Sequence, residues 1–436
     1  MLNLESLPVT RSFSGMLDLP GDKSISHRSL LFGAIAEGFT TVRGFLPGED
    51  CLATLRILKL LGVKIRQEDE TTLSIEGVGL HGLGAPDIPL DCGNSGTTMR
   101  LLMGLLAAQP FDSELIGDDS LQRRPMARIS LPLNQMGATI VTTSQGCAPI
   151  RIKKNNHLIG IDYTLPVASA QLKSALLFAG LYCSSPLNLY EPILTRDHTE
   201  RFFAWFGCPI QKNHKGNGYQ YTIFPGVRFL GKEVEIPGDF SSAAFFIVAA
   251  TLVEGSDLLL RQVGCNPSRV GLLYILKAMG ANIELIERPS LSGEPVADIR
   301  VKYAPLHGVT VPEEWVSLTI DEFPILFIAA AKARGVTKIT GLSELRHKES
   351  DRISGMISGL NVLGIHASSE GDDVMIQGGE FQGGEVDSLR DHRLAMAFLV
   401  AGCVARGAVT VLDCESVSTS FPSFLSKAAQ CGLLLR

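Results

Sequence analysis

The 436-residue chain lacks four things: a Cys-x-x-Cys pair among its nine cysteines, an apolar run long enough to cross a bilayer, an excess of basic residues, and a low-complexity linker. An odd number of scattered cysteines in a chain this long points to free thiols in a reducing compartment. Apolar runs such as 395–404 fall short of the roughly twenty residues a membrane-spanning helix needs. A net charge of −6, from 39 Lys and Arg against 45 Asp and Glu, argues against a nucleic-acid surface, which needs a basic field. Any anion site must then be a local cluster of cations. The opening fourteen residues carry Glu5 and Pro8 without a basic-then-apolar pattern, so no signal peptide is expected. These absences predict a cytoplasmic protein with no nucleic-acid or membrane partner.

Several motifs are missing too. There is no Gly-Lys-Ser/Thr phosphate loop and no His-Glu-x-x-His. Gly77-Val78-Gly79-Leu80-His81-Gly82 has the dinucleotide-binding spacing, but Gly84, Pro86 and Pro89 follow where a helix is required. No local signature marks a cysteine nucleophile, and Cys92 reads as packing.

What the chain has is hydrophobic mass. With 45% hydrophobic and 19% charged residues it can bury large cores, and it should divide into two or more domains. Two halves match at an offset of 217: Pro20 with Pro237, Gly21 with Gly238, Asp22 with Asp239, Ser24 with Ser241, Glu37 with Glu254, Gly38 with Gly255. A finer beat runs through both, a helix closed by an apolar residue and glycine, at Leu61-Gly62, Met136-Gly137, Phe206-Gly207, Met279-Gly280, Leu363-Gly364 and Cys431-Gly432. Glycine just past a helix end is the expected left-handed cap. Upstream of each glycine lies a helix apolar on most faces: 29–36, 99–108, 171–183, 242–253, 324–333 and 393–405. Helices of that kind belong inside a domain.

The runs after them, such as Thr40-Thr41-Val42-Arg43 and Val409-Thr410-Val411-Leu412, favour strand. Each unit of about seventy residues reads helix, strand, amphipathic helix, strand, strand, and six copies divide into two α/β domains of three. The boundaries follow: 21–238 for the first domain, 1–20 plus 239–436 for the second. The strand 14–19 then joins the second domain, and the crossings at Pro20-Gly21 and Pro237-Gly238 form a hinge.

Polar residues collect at the N-terminal mouths of the apolar helices. In the first, Asp22 or Ser24 can cap, while Lys23 and Arg28 stand where the first-turn N–H groups open. The second is Asp91-Cys92-Gly93-Asn94-Ser95-Gly96-Thr97-Thr98-Met99-Arg100, whose small residues let a ligand approach the main chain. The others are Ser169-Ala170-Gln171-Leu172-Lys173, Asp239 with Ser241 and Ser242, Asp321-Glu322, and Asp391-His392-Arg393. Ordinary capping explains the Ser, Asn and Asp residues. It does not explain Lys23, Arg28 or Arg393, since a cation opposes the dipole at that end. More cations lie in 122–128, 195–200 and 346–352, each alone readable as a solvated face. Converging on one cleft, the set suits anionic substrates, at roughly 1.5–3 kcal/mol per charge-assisted contact.

With those residues in hand, the chain resembles the EPSP synthase family, the enolpyruvyl transferases of the shikimate pathway, over nearly its whole length. The resemblance rests on Gly21-Asp22-Lys23-Ser24-Ile25-Ser26-His27-Arg28, Gly93-Asn94-Ser95-Gly96-Thr97, Arg124-Pro125-Met126, Ser169-Ala170-Gln171, Lys348-Glu349-Ser350-Asp351-Arg352 and Asp391-His392-Arg393. Arg196-Asp197-His198-Thr199-Glu200, Ser169-Ala170-Gln171-Leu172-Lys173 and Asn266-Pro267-Ser268-Arg269 resemble its class II branch. Ala170 and Thr419-Ser420-Phe421-Pro422 depart from class I, which has a serine and a lysine there.

The resemblance implies a two-domain inside-out α/β barrel with its active-site cleft between the domains. It implies transfer of the enolpyruvyl group of phosphoenolpyruvate to the 5-hydroxyl of shikimate 3-phosphate, with release of phosphate, through a tetrahedral intermediate. Lys23 is implied between both substrates. Ser24, Arg28, Ser169, Gln171, Arg196, Asp321 and Lys348 are implied at shikimate 3-phosphate, and Gly96, Arg124, Gln171, Arg352 and Arg393 at phosphoenolpyruvate. Asp321 is implied as base for the attacking hydroxyl, and Glu349 as proton donor to the methylene carbon. Two carboxylates with separate roles suit addition followed by elimination, and cations at the leaving phosphate remove the need for a metal or other cofactor. A monomer is expected, and glyphosate is expected to enter the phosphoenolpyruvate pocket.

Two rivals remain. The sister transferase acting on UDP-N-acetylglucosamine has asparagine after the first lysine and a catalytic loop cysteine, whereas Ser24 follows Lys23 here and the Arg124 region has no cysteine. A non-catalytic anion-binding protein on the same fold would gain nothing from Asp321 and Glu349.

Overall fold

The computed structural model describes residues 2–436, so the first residue of the expected 1–20 segment lies outside the described residues. The chain divides into two compact units: the Lys23 unit, Gly21–Ile236 with Ser290–Glu294, and the Asp321 unit, Met1–Pro20 with Pro237–Pro289 and Pro295–Arg436. The cut after Ile236 falls two residues ahead of Gly238. Ser290–Glu294, at the turn between strands Asn282–Leu291 and Glu294–Lys302, groups with the Lys23 unit.

Three repeats build the Lys23 unit. Its apolar helices are Lys23–Ile35, Gly96–Leu106 and Ala170–Gly180, and the amphipathic ones Glu49–Leu60, Ala127–Gln135 and His198–Trp205. In each repeat the strand after the apolar helix pairs antiparallel with the last strand, which pairs antiparallel with the middle one. A fourth strand runs parallel on the outer side. Leu90–Asp91 does this for Ser113–Ile116 and Asp162–Thr164 for Leu187–Glu191, each coming from the preceding repeat. For Glu37–Arg43 that strand is Glu233–Glu235, from the end of the unit, so the last repeat closes on the first.

The first helix begins at Lys23, six residues before the apolar stretch that marks it in sequence, because the Asp22 side chain accepts from Ile25 N–H at 2.9 Å and starts the helix there. Lys23 and Arg28 therefore ride on the helix itself. Gly104 lets Gly96–Leu106 approach Ala170–Gly180: a Cβ there would stand 2.0 Å from the backbone oxygen of Ala175. In the core, Phe32 meets the rings of Phe178, Phe202, Phe203, Phe206 and Phe229 at 5.0 to 6.0 Å.

The Asp321 unit repeats the plan with apolar helices Phe240–Leu252, Phe323–Lys332 and His392–Gly402 and amphipathic helices Gly271–Ala278, Arg352–Val362 and Phe424–Cys431. All thirteen residues of Phe240–Leu252 are buried, as an all-round apolar helix requires. The chain start supplies strands to two of its sheets. Ser14–Asp18 runs parallel to Asp257–Gly264, and Leu4–Leu7 sits antiparallel between Val409–Leu412 and Leu434–Leu435. The sixth repeat thus takes its last two strands from opposite ends of the chain. Its middle neighbour has three strands, with an isolated Thr310 to Lys338 bridge where the fourth would lie.

All six helix-ending glycines take positive φ, from +78° at Gly207 to +99° at Gly280 and Gly432. The Gly77 to Gly82 run ends a strand at Val78 and opens no helix. Among the described residues no helix is long and apolar enough to cross a membrane.

Candidate active site

Charged side chains gather at the helix mouths of the Lys23 unit. Arg28 is buried and held on three sides: Nε donates to Thr199 Oγ1 at 2.7 Å, Nη2 to Ser174 Oγ at 2.8 Å and Nη1 to the Ser24 carbonyl at 2.9 Å. Burial pulls its guanidinium down to about 10, opposed chiefly by the carboxylate of Glu200, while the charge of Arg196 adds to the lowering. Arg196 therefore belongs to the same electrostatic group as Arg28. Lys23 ion-pairs with Asp50 at 3.1 Å.

Burial and the cations Lys23 and Arg28 hold His27 well below the ordinary histidine range, so it is neutral. Its Nδ1 starts a run of hydroxyl contacts, Thr54 at 2.8 Å, then Thr98 at 2.7 Å and Ser95 at 2.7 Å. Ser95 caps the second apolar helix. That run fixes the mouth holding Lys23 against the mouth holding Gly96.

At the second mouth, a Cβ on Gly96 would stand 2.7 Å from Arg100 Nη1 and 3.2 Å from Arg124 Nη1. Arg124 donates to Asn94 Oδ1 at 2.5 Å, and Asn94 donates to Asp118 at 2.6 Å. Gln171 joins the group by accepting from Arg100 Nη1 at 2.7 Å and donating to Thr97 Oγ1 at 2.9 Å. Ser169 caps its helix through Leu172 N–H at 3.3 Å. Arg124 follows a short 3-10 turn, Leu121–Arg123, and the expected helix starts only at Ala127.

In the Asp321 unit one carboxylate is ringed by cations. Asp321 lies 3.4 Å from Lys348 Nζ, 3.5 Å from Arg352 Nη1 and 3.7 Å from Arg393 Nη2, and its backbone oxygen accepts from Arg393 Nη1 at 2.7 Å. Arg352, 1% exposed, also pairs with Asp391 at 2.8 Å and Glu349 at 2.5 Å. Burial alone would lower its pKa, but Asp391, Glu349 and Asp321 outweigh that and raise it. Sequence reasoning singled out Asp321, Lys348, Glu349, Arg352 and Arg393, and here a chain of ion pairs through Asp321 and Arg352 links them.

It placed Ser241 at a helix mouth and Arg269 in a class II motif but gave neither a role toward substrate. Arg269 donates to Ser241 Oγ at 2.7 Å, Arg393 does so at 3.2 Å, and Ser241 donates to Glu322. The signal available was Arg269 itself, in Asn266-Pro267-Ser268-Arg269, an arginine in a turn that no cap requires. Among the described residues no group of three or more His, Cys, Asp or Glu is placed to hold a metal. Burial pushes the Cys92 thiol far up, which suits packing and not nucleophilic attack.

Six repeats in two units, with cations and carboxylates at the helix mouths, make up the fold. The enolpyruvyl transferase NikO from Streptomyces tendae has it at a TM-score of 0.79 and 14% identity, covering 100% of this chain and 98% of that one. A profile of the EPSP synthase (3-phosphoshikimate 1-carboxyvinyltransferase) family matches residues 9–428, and the chain belongs to that family. A 3-phosphoshikimate 1-carboxyvinyltransferase of Legionella pneumophila (strain Corby) is 51% identical over 98% of both chains, and one of Nitrosococcus oceani is 53% identical over 97% of this chain and 94% of its own. The EPSP synthase structure from Acinetobacter baumannii has a TM-score of 0.88 at 48% identity, covering 100% of this chain and 99% of that one.

Proposed function

We propose that the two residue groups described above act on one pair of substrates. The reaction is that of the family: transfer of the enolpyruvyl group of phosphoenolpyruvate to the 5-hydroxyl of shikimate 3-phosphate with release of phosphate, a step of aromatic amino acid biosynthesis. Arg28, Ser24, Ser169, Gln171, Arg196 and Lys348 take the shikimate phosphate and ring. Gly96, Arg124, Gln171, Arg352 and Arg393 take phosphoenolpyruvate, and Lys23 serves both. The single observation that carries this reading is the pairing of four of these cations with internal carboxylates as placeholders: Lys23 with Asp50, Lys348 and Arg393 with Asp321, and Arg352 with Glu349.

Incoming anions compete for those cations. When phosphoenolpyruvate engages Arg352 and Arg393, Glu349 loses its partner and Asp321 keeps only Lys348, and a carboxylate with fewer cations beside it holds a proton more readily. Asp321 then accepts the proton of the attacking hydroxyl as Glu349 delivers one to the methylene carbon. In elimination Glu349 takes a proton back from the new methyl group as the C–O bond to phosphate breaks, the proton held by Asp321 leaves with the phosphate, and the cations stabilise that departing group. The protein acts in the cytoplasm as a monomer in this reading; the nine free cysteines fit a reducing compartment.

Phosphate release from phosphoenolpyruvate tests it. Release is expected with shikimate 3-phosphate and not with UDP-N-acetylglucosamine; release with the second acceptor alone would overturn the assignment.

A further inference from the structure

Beneath Arg28 lies an ion cluster that touches no proposed ligand. Lys173, fully buried, has its Nζ 2.8 Å from Glu191 Oε1 and 2.7 Å from Glu200 Oε1, and both carboxylates are buried with it. As a device for stability alone this is a poor choice, since burying charges costs more solvation than pairing usually returns, and apolar side chains of the same volume often serve as well. What such a cluster supplies is fixed position.

We propose that the Lys173–Glu191–Glu200 cluster is a positioning centre that sets Arg28 and Arg196 for the phosphate of shikimate 3-phosphate. This rests on the assignment of that phosphate to those two arginines. One arm runs through neighbours in sequence: Ser174 follows Lys173, Thr199 precedes Glu200, their hydroxyls meet at 2.7 Å, and both accept from Arg28. The other runs through Glu191, whose Oε1 accepts from Thr195 N–H at 3.0 Å and Thr195 Oγ1 at 2.5 Å, pinning the loop one residue before Arg196. Tyr221 secures the far oxygen of Glu191 at 3.0 Å. The lysine thus holds two carboxylates: Glu200 is next in chain to Thr199, which accepts from Arg28, and Glu191 is hydrogen-bonded to Thr195, the residue before Arg196. The second carboxylate also offsets the cost of keeping the buried Arg28 charged.

Two variants read the two arms. Glu200→Gln keeps the volume and removes one charge; Thr195→Val removes the loop hydroxyl and keeps every charge. Binding of shikimate 3-phosphate and of unphosphorylated shikimate is measured by calorimetry on each purified, folded protein. Glu200→Gln is expected to weaken shikimate 3-phosphate about tenfold and Thr195→Val about threefold, with shikimate and the KM of phosphoenolpyruvate changed less than about twofold. Equal losses for both ligands, or no loss in folded Glu200→Gln and Thr195→Val, would overturn the proposal. Should Glu200→Gln not fold, Thr195→Val decides alone by the same criterion. Arg28→Met separates the premise from the inference. If it too leaves the preference for the phosphorylated ligand intact, the phosphate assignment fails and the proposal with it. If it abolishes the preference while the other two do not, only the positioning role fails.

Discussion

Arg28 is strung between hydroxyls on two other helices before any ligand arrives, so its fork is already aimed when a phosphate comes. The sign of its titration differs for stability and for binding. A guanidinium lowered to about 10 penalises folding at neutral pH, and that penalty fades as pH rises past that value because the unfolded chain then keeps the proton the folded one has shed. Anion binding instead weakens above about pH 10, where the charge is lost. Titrating shikimate 3-phosphate affinity from about pH 8 to 11 should show a fall that is one proton steeper in the wild type than in Arg28→Met. Gly96 is set by space in the same way. In Gly96→Ala the methyl meets two guanidinium tips, which are flexible, so the fold should survive while Arg100 and Arg124 shift by a few tenths of an ångström. The KM of phosphoenolpyruvate is expected to rise about tenfold with that of shikimate 3-phosphate nearly unchanged, in steady-state kinetics.

Local chemistry wrote the helices plainly: Asp22, Ser95, Ser169, Asp239 and Asp391 each cap an apolar helix through a side-chain oxygen. Asp22 caps the first helix as one of its two candidate caps, but the apolar run 29–36 understates the helix because most residues from Lys23 to Arg28 are polar, and periodicity alone cannot see a buried polar segment. Contacts between helices were less legible still. Nothing in the apolar run 101–106 says that Gly104 must face the backbone of Ala175. In Gly104→Ala the new methyl meets a carbonyl oxygen that cannot swing away, so the helices must part. A stability loss of about 3 kcal/mol is expected by urea denaturation. Activity should fall with it, since the mouths of those two helices carry Gly96 and Gln171.

At the scale of the whole molecule, the chain start is a structural part of the Asp321 unit. Leu4–Leu7 is an inner strand of a four-stranded sheet, between Val409–Leu412 and Leu434–Leu435, and a sheet that loses an inner strand exposes two unpaired edges. Deleting residues 2–7 is expected to raise amide hydrogen exchange in 409–412 and 434–435 by at least about tenfold, with the Glu37–Arg43 sheet unaffected. The sequence by itself determined the sixfold beat, the helix-ending glycines, the two-part division and most of the charged residues brought together here, because capping, glycine conformation and hydrophobic period act over a few neighbouring residues. Only the tertiary structure decided that Leu4–Leu7 completes the last repeat, that Arg28 rests on Thr199, and that Ser241 joins Arg269, Arg393 and Glu322. Those partners lie tens to hundreds of residues apart, and closing such long loops leaves no periodic trace in the chain: the match is made by shape and charge once the cores have formed.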